Sequence, residues 1–328
     1  MALSRVMAAG AAVLAASLFA GHPATQAAGA PWPNRPVRLL VGYAPGGSTD
    51  LIARAIAPVM SEQLGQPVVI ENRPGASGIV ASEALINSRD EHTLLINSSG
   101  GFSLRPHTTK LRFDPWKDMK PVSIVCTVPT IFLGSRKLPA RTLGELVAYG
   151  RKNEGKLNFG VVGLGTTNHM FGELLKRDAG IRAANVVYPG LAPAVTALMA
   201  GDIDIVNVDA VDTVTPLLED GRIVAYAVTT PERSPGFPEV PTAVESGFPS
   251  VVGRNSYAIY APSGMAQSRV DRLREAIHAA VGSASVRAAF RRMKVVPETS
   301  ATDDTLRMLR DEEAKFLPIV RTLDLRIE

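Results

Sequence analysis

Along most of the chain, short runs of valine, isoleucine and leucine alternate with stretches whose apolar residues recur every three to four positions. The runs predict strands at 37–41, 68–70, 93–96, 122–128, 157–161, 186–188, 203–208 and 223–228. Between the first two, Leu51, Ile52, Ala55, Ile56, Val59 and Met60 form one helical face, and Gly65 supplies a stop. Further helices are predicted at 79–86, 142–151, 170–176, 192–199 and 213–218. This alternation implies an α/β fold of parallel sheets with helices on both faces. After the strand-like YAIYAP at 257–262 the pattern turns helical, at 267–281, 284–293 and 303–316. Those helices have no strands of their own to cover, so they are expected to pack back on the first domain. The chain then crosses between two domains twice, near 128–135 and 254–260. Two crossing segments make a hinge, and hinged α/β lobes that close on a ligand are a known mechanical class.

The start of the chain changes the picture of where this fold works. Arg5 precedes a small apolar run, Val6 to Ala20, and the helix-breaking and small residues GHPATQAAGA follow. That is the pattern of a cleavable secretory signal peptide, taken as residues 1–28, with cleavage expected near 25–27. No cysteine follows the run, so no lipid anchor is expected, and no later apolar stretch reaches the ~18 residues of a membrane span. The mature chain is therefore expected to be soluble and outside the cytoplasm. About 300 residues remain, which suits two domains.

Charge and cysteine content narrow the partners. Lys and Arg number 35 against 31 Asp and Glu, with no basic block, so nucleic acid is not an expected partner. The single cysteine, Cys126, lies in the apolar run VSIVCTV, where it reads as a small buried hydrophobe. No cofactor is implied, and a monomer is expected.

Ligands of open α/β sheets collect outside the carboxyl ends of strands. Those ends carry YAPGGST at 43–49, NSSGG at 97–101, GLGTTNH at 163–169, YPG at 188–190 and VDA at 208–210. They are rich in glycine and hydroxyls and nearly free of formal charge, which suits an anion held by amides and helix starts. GYAPGGST places Gly42, Gly47 and Thr49 as a phosphate-binding P-loop would, but Ser48 stands where the lysine belongs. A nucleotide would lose its main charge partner there. A single carboxylate asks for less, three or four charge-assisted hydrogen bonds at roughly 1.5 to 3 kcal/mol each.

At these residues the chain resembles the Bug family, the periplasmic solute-binding proteins of tripartite tricarboxylate transporters. The matching blocks are WPNRPVRLLVGYAPGGSTD at 32–50, LGQPVVIENRPGASG at 64–78, GLGTTNHMFGELL at 163–175 and FPEVPTAVESGFP at 237–249. The resemblance implies a two-lobed periplasmic-binding-protein fold of the Venus flytrap, type II-like kind. Its lobes would be 29–130 with 258–328, and 131–257. It also implies a small carboxylate ligand held in the cleft, and integral-membrane transporter subunits as partners. Carried over by position, the candidate ligand residues are Tyr43, Ala44, Gly46, Gly47, Ser48 and Thr49; Ser98 and Ser99; Thr166, Thr167 and His169; Tyr188 and Gly190; and Asp209. The family often has a basic residue where this chain has Pro189, which weakens any inference to a second carboxylate on the ligand.

Two rival readings stand beside this one. An α/β hydrolase would need an organised catalytic set, yet the G-x-S-x-G elbow is absent and His169 has only Glu173, one turn on, as an orienting partner. A sensor would bind the same ligand and pass it to a signalling partner. His92, His107, His169 and His278 lack metal-ligand spacing, and Asp50 reads as a first-turn acid favoured by the helix dipole. Tyr43 and Phe102 are left with two roles, clasping an aromatic ring or walling the lobes.

Overall fold

The computed structural model describes residues 32–211 and 214–322, so the expected signal peptide lies outside the described residues. Of the leading unit Met1–Asn34 only residues 32–34 are described; the sheets, cores and cleft belong to the unit Arg35–Glu328.

Eleven strands form among the described residues: β1 Val37–Val41, β2 Val68–Asn72, β3 Thr93–Ser98, β4 Met119–Val128, β5 Thr130–Ser135, β6 Leu157–Val162, β7 Ala183–Tyr188, β8 Ile205–Asp209, β9 Ile223–Val228, β10 Asn255–Pro262 and β11 Val296–Pro297. They build a six-stranded sheet in the order β11-β4-β10-β3-β1-β2 and a five-stranded sheet in the order β7-β6-β8-β5-β9. Two strands are absent from the sequence reading, β5 and the two-residue β11, and β5 is hidden because the apolar run continues through it from β4. Pro129 interrupts that run and separates a strand of the first sheet from one of the second.

The sheets are mixed and not purely parallel. β1 runs parallel to β2 and β3, and β6 parallel to β7 and β8. β10 is antiparallel to β3 and β4, and β5 to β8 and β9. Parallel neighbours need a crossover of a dozen or more residues, usually a helix, whereas β5 and β10 each arrive from the other sheet. These two arrivals are the crossover segments of the two-lobed fold.

Leu40, Leu95, Phe102 and Tyr260 fill the core of the first sheet. Phe102 stacks on Tyr260 at 5.0 Å between ring centroids and meets Trp116 edge-on at 4.8 Å. The second sheet buries Phe159, Phe171 and Tyr226 on one face and Ile131, Leu198 and Val208 on the other. Among the C-terminal helices, Gln267–Gly282 packs on Ser48–Leu64. The last helix, Thr302–Thr322, differs from the expectation by touching both cores: Leu309 joins the first, while Phe316, Ile319 and Val320 join the second. Its apolar stripe simply continues past Leu309, and Phe316 meets Phe171 edge-on at 5.4 Å.

Candidate ligand cleft

A cavity of about 640 Å³ opens where strand ends of both sheets converge. Ten of the candidate residues line it: Tyr43, Ala44, Gly46, Gly47, Ser48, Thr49, Ser98, Thr166, Gly190 and Asp209. Ser99, Thr167, His169 and Tyr188 lie outside its lining.

The loop after β1 is held by its own acid. Asp50 accepts from the Gly46 amide at 2.9 Å, from Arg54 Nε at 2.8 Å and from Asn72 Nδ2 at 2.9 Å. Burial pulls the Asp50 carboxyl upward, but these donors and the Arg54 charge outweigh it and hold it below the usual range. Gly46 turns the chain with φ of 85°, in the left-handed region. The helix Ser48–Leu64 then starts at Gly47 with no side-chain cap. Its first-turn amides have no intrahelical acceptor, and Gly47, Ser48 and Thr49 face the cavity. A second uncapped start enters from the other sheet, where Gly190 precedes the helix Leu191–Ala200. A third helix start, Thr167–Ala179, is closed by Thr166, whose Oγ1 accepts from the His169 amide at 3.3 Å and donates to the Gly163 carbonyl at 2.9 Å.

The residues outside the cavity are engaged elsewhere. His169 Nδ1 accepts from the Gly165 amide at 3.1 Å, which places the ring proton on Nε2, 3.2 Å from Glu173 Oε1. Burial works against the Glu173 carboxylate, yet His169, Lys176 and Asn185 together hold its pKa down to about 2. His169 is thus a brace of the loop that precedes it. Ser99 and Thr167 donate to Glu312 at 3.0 and 2.8 Å. The carboxyl those hydroxyls reach is the protein's own. Tyr188 packs against the second core.

Four residues escaped the sequence reading. Asp209 Oδ1 accepts from Asn255 Nδ2 at 2.9 Å and from Asn168 Nδ2 at 3.2 Å, while Tyr257 donates to Oδ2 at 2.5 Å. Asn255 and Tyr257 sit on β10, read from sequence as a crossing that runs into a strand-like segment and not as part of the site, and Asn168 was masked by its threonine neighbours. This network joins the two sheets at the cavity floor. The fourth is Arg105, 3% exposed, which donates to the carbonyls of Leu164 and, at 3.2 Å, of Ser77. No strand end or motif marks it, so the sequence carries no signal for it. Among the described residues no group of His, Cys, Asp and Glu is placed to hold a metal. Phe102 lies in the core, not in the cavity, leaving Tyr43 as the aromatic residue of the first loop that faces it.

A strand-end cavity ringed by amides and hydroxyls on a two-sheet α/β frame defines a periplasmic-binding-protein fold. The profile of the tripartite tricarboxylate transporter family receptor matches residues 52–325, and the chain belongs to this family. The chain is 34% identical over 298 residues to protein BugT of Bordetella pertussis, with 88% of this chain and 90% of BugT covered. It is similar in structure to R. palustris Rpa4515 with adipate, at 32% identity and a TM-score of 0.82, covering 89% of this chain and 98% of that one. It is also similar to MatC from Rhodopseudomonas palustris with bound malate, at 29% identity and a TM-score of 0.81, covering 88% and 100%. Both of these solved relatives hold a carboxylate, adipate in the one and malate in the other.

Proposed function

We propose that the mature chain captures a small organic carboxylate between two lobes in the periplasm and delivers it to the membrane subunits of a tripartite tricarboxylate-type transporter, without chemical turnover. The observation that carries this reading is the uncapped helix start at Gly47, Ser48 and Thr49, opened onto the same cavity as the opposing lobe. A carboxylate there gains charge-assisted hydrogen bonds of roughly 1.5 to 3 kcal/mol each and ~0.3 to 1 kcal/mol from the helix dipole. After association costs this supports binding near the micromolar range, about −8 kcal/mol. Adipate in Rpa4515 and malate in MatC support the ligand class, and the signal peptide pattern supports export. The lobes are taken as 29–130 with 258–328, and 131–257, with the cavity as the cleft that closes.

Isothermal titration of the mature protein against a carboxylate panel tests the reading, with one ligand bound per chain and no product released. Small-angle scattering should show compaction at saturation. Steady product formation, or no binding across the panel, would sink it.

A further inference from the structure

We infer that the ligand is a monocarboxylate with an apolar body, and not a dicarboxylate. This rests on the receptor reading above and specifies its substrate class.

The first element is the chemistry of the lining. The second sheet and its helices contribute Val162, Leu191, Pro193, Val195, Val214 and Leu217. Beside them stand Thr166, Asn168 and Asp209, but Thr166 is spent on capping its own helix and Asn168 on Asp209. An aliphatic wall of this extent matches a hydrocarbon body, at about 25 cal/mol for each Å² of apolar surface removed from water. It offers a second carboxylate few partners.

Charge is the second element. Among the described lining residues, Asp209 is the one charged side chain, and it is negative. The buried cation Arg105 lies outside the lining and is hydrogen-bonded to the carbonyls of Leu164 and Ser77. One guanidinium and one carboxylate leave the surroundings close to neutral. A single incoming carboxylate is then served by the first helix start, whereas a diacid would desolvate a second charge beside Asp209 with nothing to pair it.

The third element is the opposing helix start. Leu191–Ala200 is uncapped, but its third residue is Pro193, which has no N–H, and Pro189 lies just before it. It therefore supplies fewer donors than the start at Ser48, where no proline intervenes in the first turn.

Titration calorimetry with hexanoate, 4-methylpentanoate, benzoate, adipate and malate tests the assignment. The expected result is that at least one monocarboxylate binds about tenfold or more tighter than either diacid, a difference of ~1.4 kcal/mol. Pro189→Arg, an exposed position on the cavity rim, should narrow that ratio in favour of adipate by supplying the missing cation. Adipate or malate binding as tightly as every monocarboxylate would overturn the inference and leave the receptor reading standing. So would an unmoved ratio in a folded Pro189→Arg protein. Failure of all five ligands to bind would overturn the receptor reading and the inference with it.

Discussion

Thr167 Oγ1 donates to Glu312 Oε1 at 2.8 Å, tying the first residue of a second-sheet helix to the C-terminal helix. From the first-sheet side, Ser99 and Ser103 donate to the same carboxylate at 3.0 and 2.7 Å. The joint is close because Gly100 has no side chain: a Cβ there would lie 2.8 Å from the Thr167 amide nitrogen. One carboxylate thus fastens elements of both sheets behind the cleft, and the contact is built from hydroxyls that the sequence offers equally well to a ligand.

Replacing that carboxylate should loosen the joint. Glu312→Ala leaves three hydroxyl donors without their acceptor, and about 1–3 kcal/mol of stability is the expected loss, depending on how well water replaces it. Glu312→Gln keeps an acceptor and removes the charge. Burial pushes the Glu312 carboxyl up from 4.5, more than its hydroxyl donors and Lys315 pull it down. Its contribution to stability is therefore full below pH 4.5 and is lost as pH rises through the elevated value. Urea unfolding of both proteins at pH 5 and pH 8 should show Glu312→Gln gaining on the native protein as pH increases. A constant difference would show that the carboxylate is not the titrating group.

The sequence made much of this legible because strand and helix periods are local properties. The runs at 37–41 and 223–228 coincide with β1 and β9, each opening within two residues of a breaker, Pro36 and Gly221. The loop after β1 was legible as a turn and helix start for the same reason: Gly46 and Gly47 announce a turn leading into a helix. What stayed hidden depends on contacts between residues far apart in the chain. Ser99 and Thr167 have the chemistry of ligand residues, and only the approach of Glu312, more than a hundred positions away, assigns them to the frame. Arg105 and the Asn255 and Tyr257 partners of Asp209 are likewise defined by tertiary contacts, and nothing adjacent in sequence signals them.

Glu173 should act on stability in the opposite direction to Glu312. Its side chain is 5% exposed, and His169, Lys176 and Asn185 hold its pKa at about 2 in place of 4.5. The stabilisation is fully present above pH 4.5 and is lost as pH falls toward 2, with an upper size of about 3 kcal/mol at ~1.4 kcal/mol per pH unit. Glu173→Gln should therefore cost about 1–3 kcal/mol at pH 7 and much less near pH 3. Thermal unfolding across that range checks it, and a loss independent of pH would exclude the ion network as the cause.

The most direct test of the cleft is Gly47→Pro. Gly47 already has φ of −80°, near the −65° that proline imposes, and the nearest atom to an added Cβ is the Ala44 carbonyl oxygen at 3.7 Å. The substitution thus removes a backbone N–H at the helix start with little change in φ at Gly47 itself. Because proline also restricts the preceding Gly46, circular dichroism and a thermal melt accompany the titration to establish that the protein is folded. If the ligand carboxylate takes that amide, binding should weaken by about 1.5–3 kcal/mol, roughly 10- to 100-fold, the usual worth of a hydrogen bond to a charged group. Ser48→Ala serves as a companion, since it deletes a hydroxyl and keeps every amide, and should cost less. A folded Gly47→Pro protein with undiminished affinity for its carboxylate would move the cradle away from this loop, toward the Gly190 helix start on the opposing lobe.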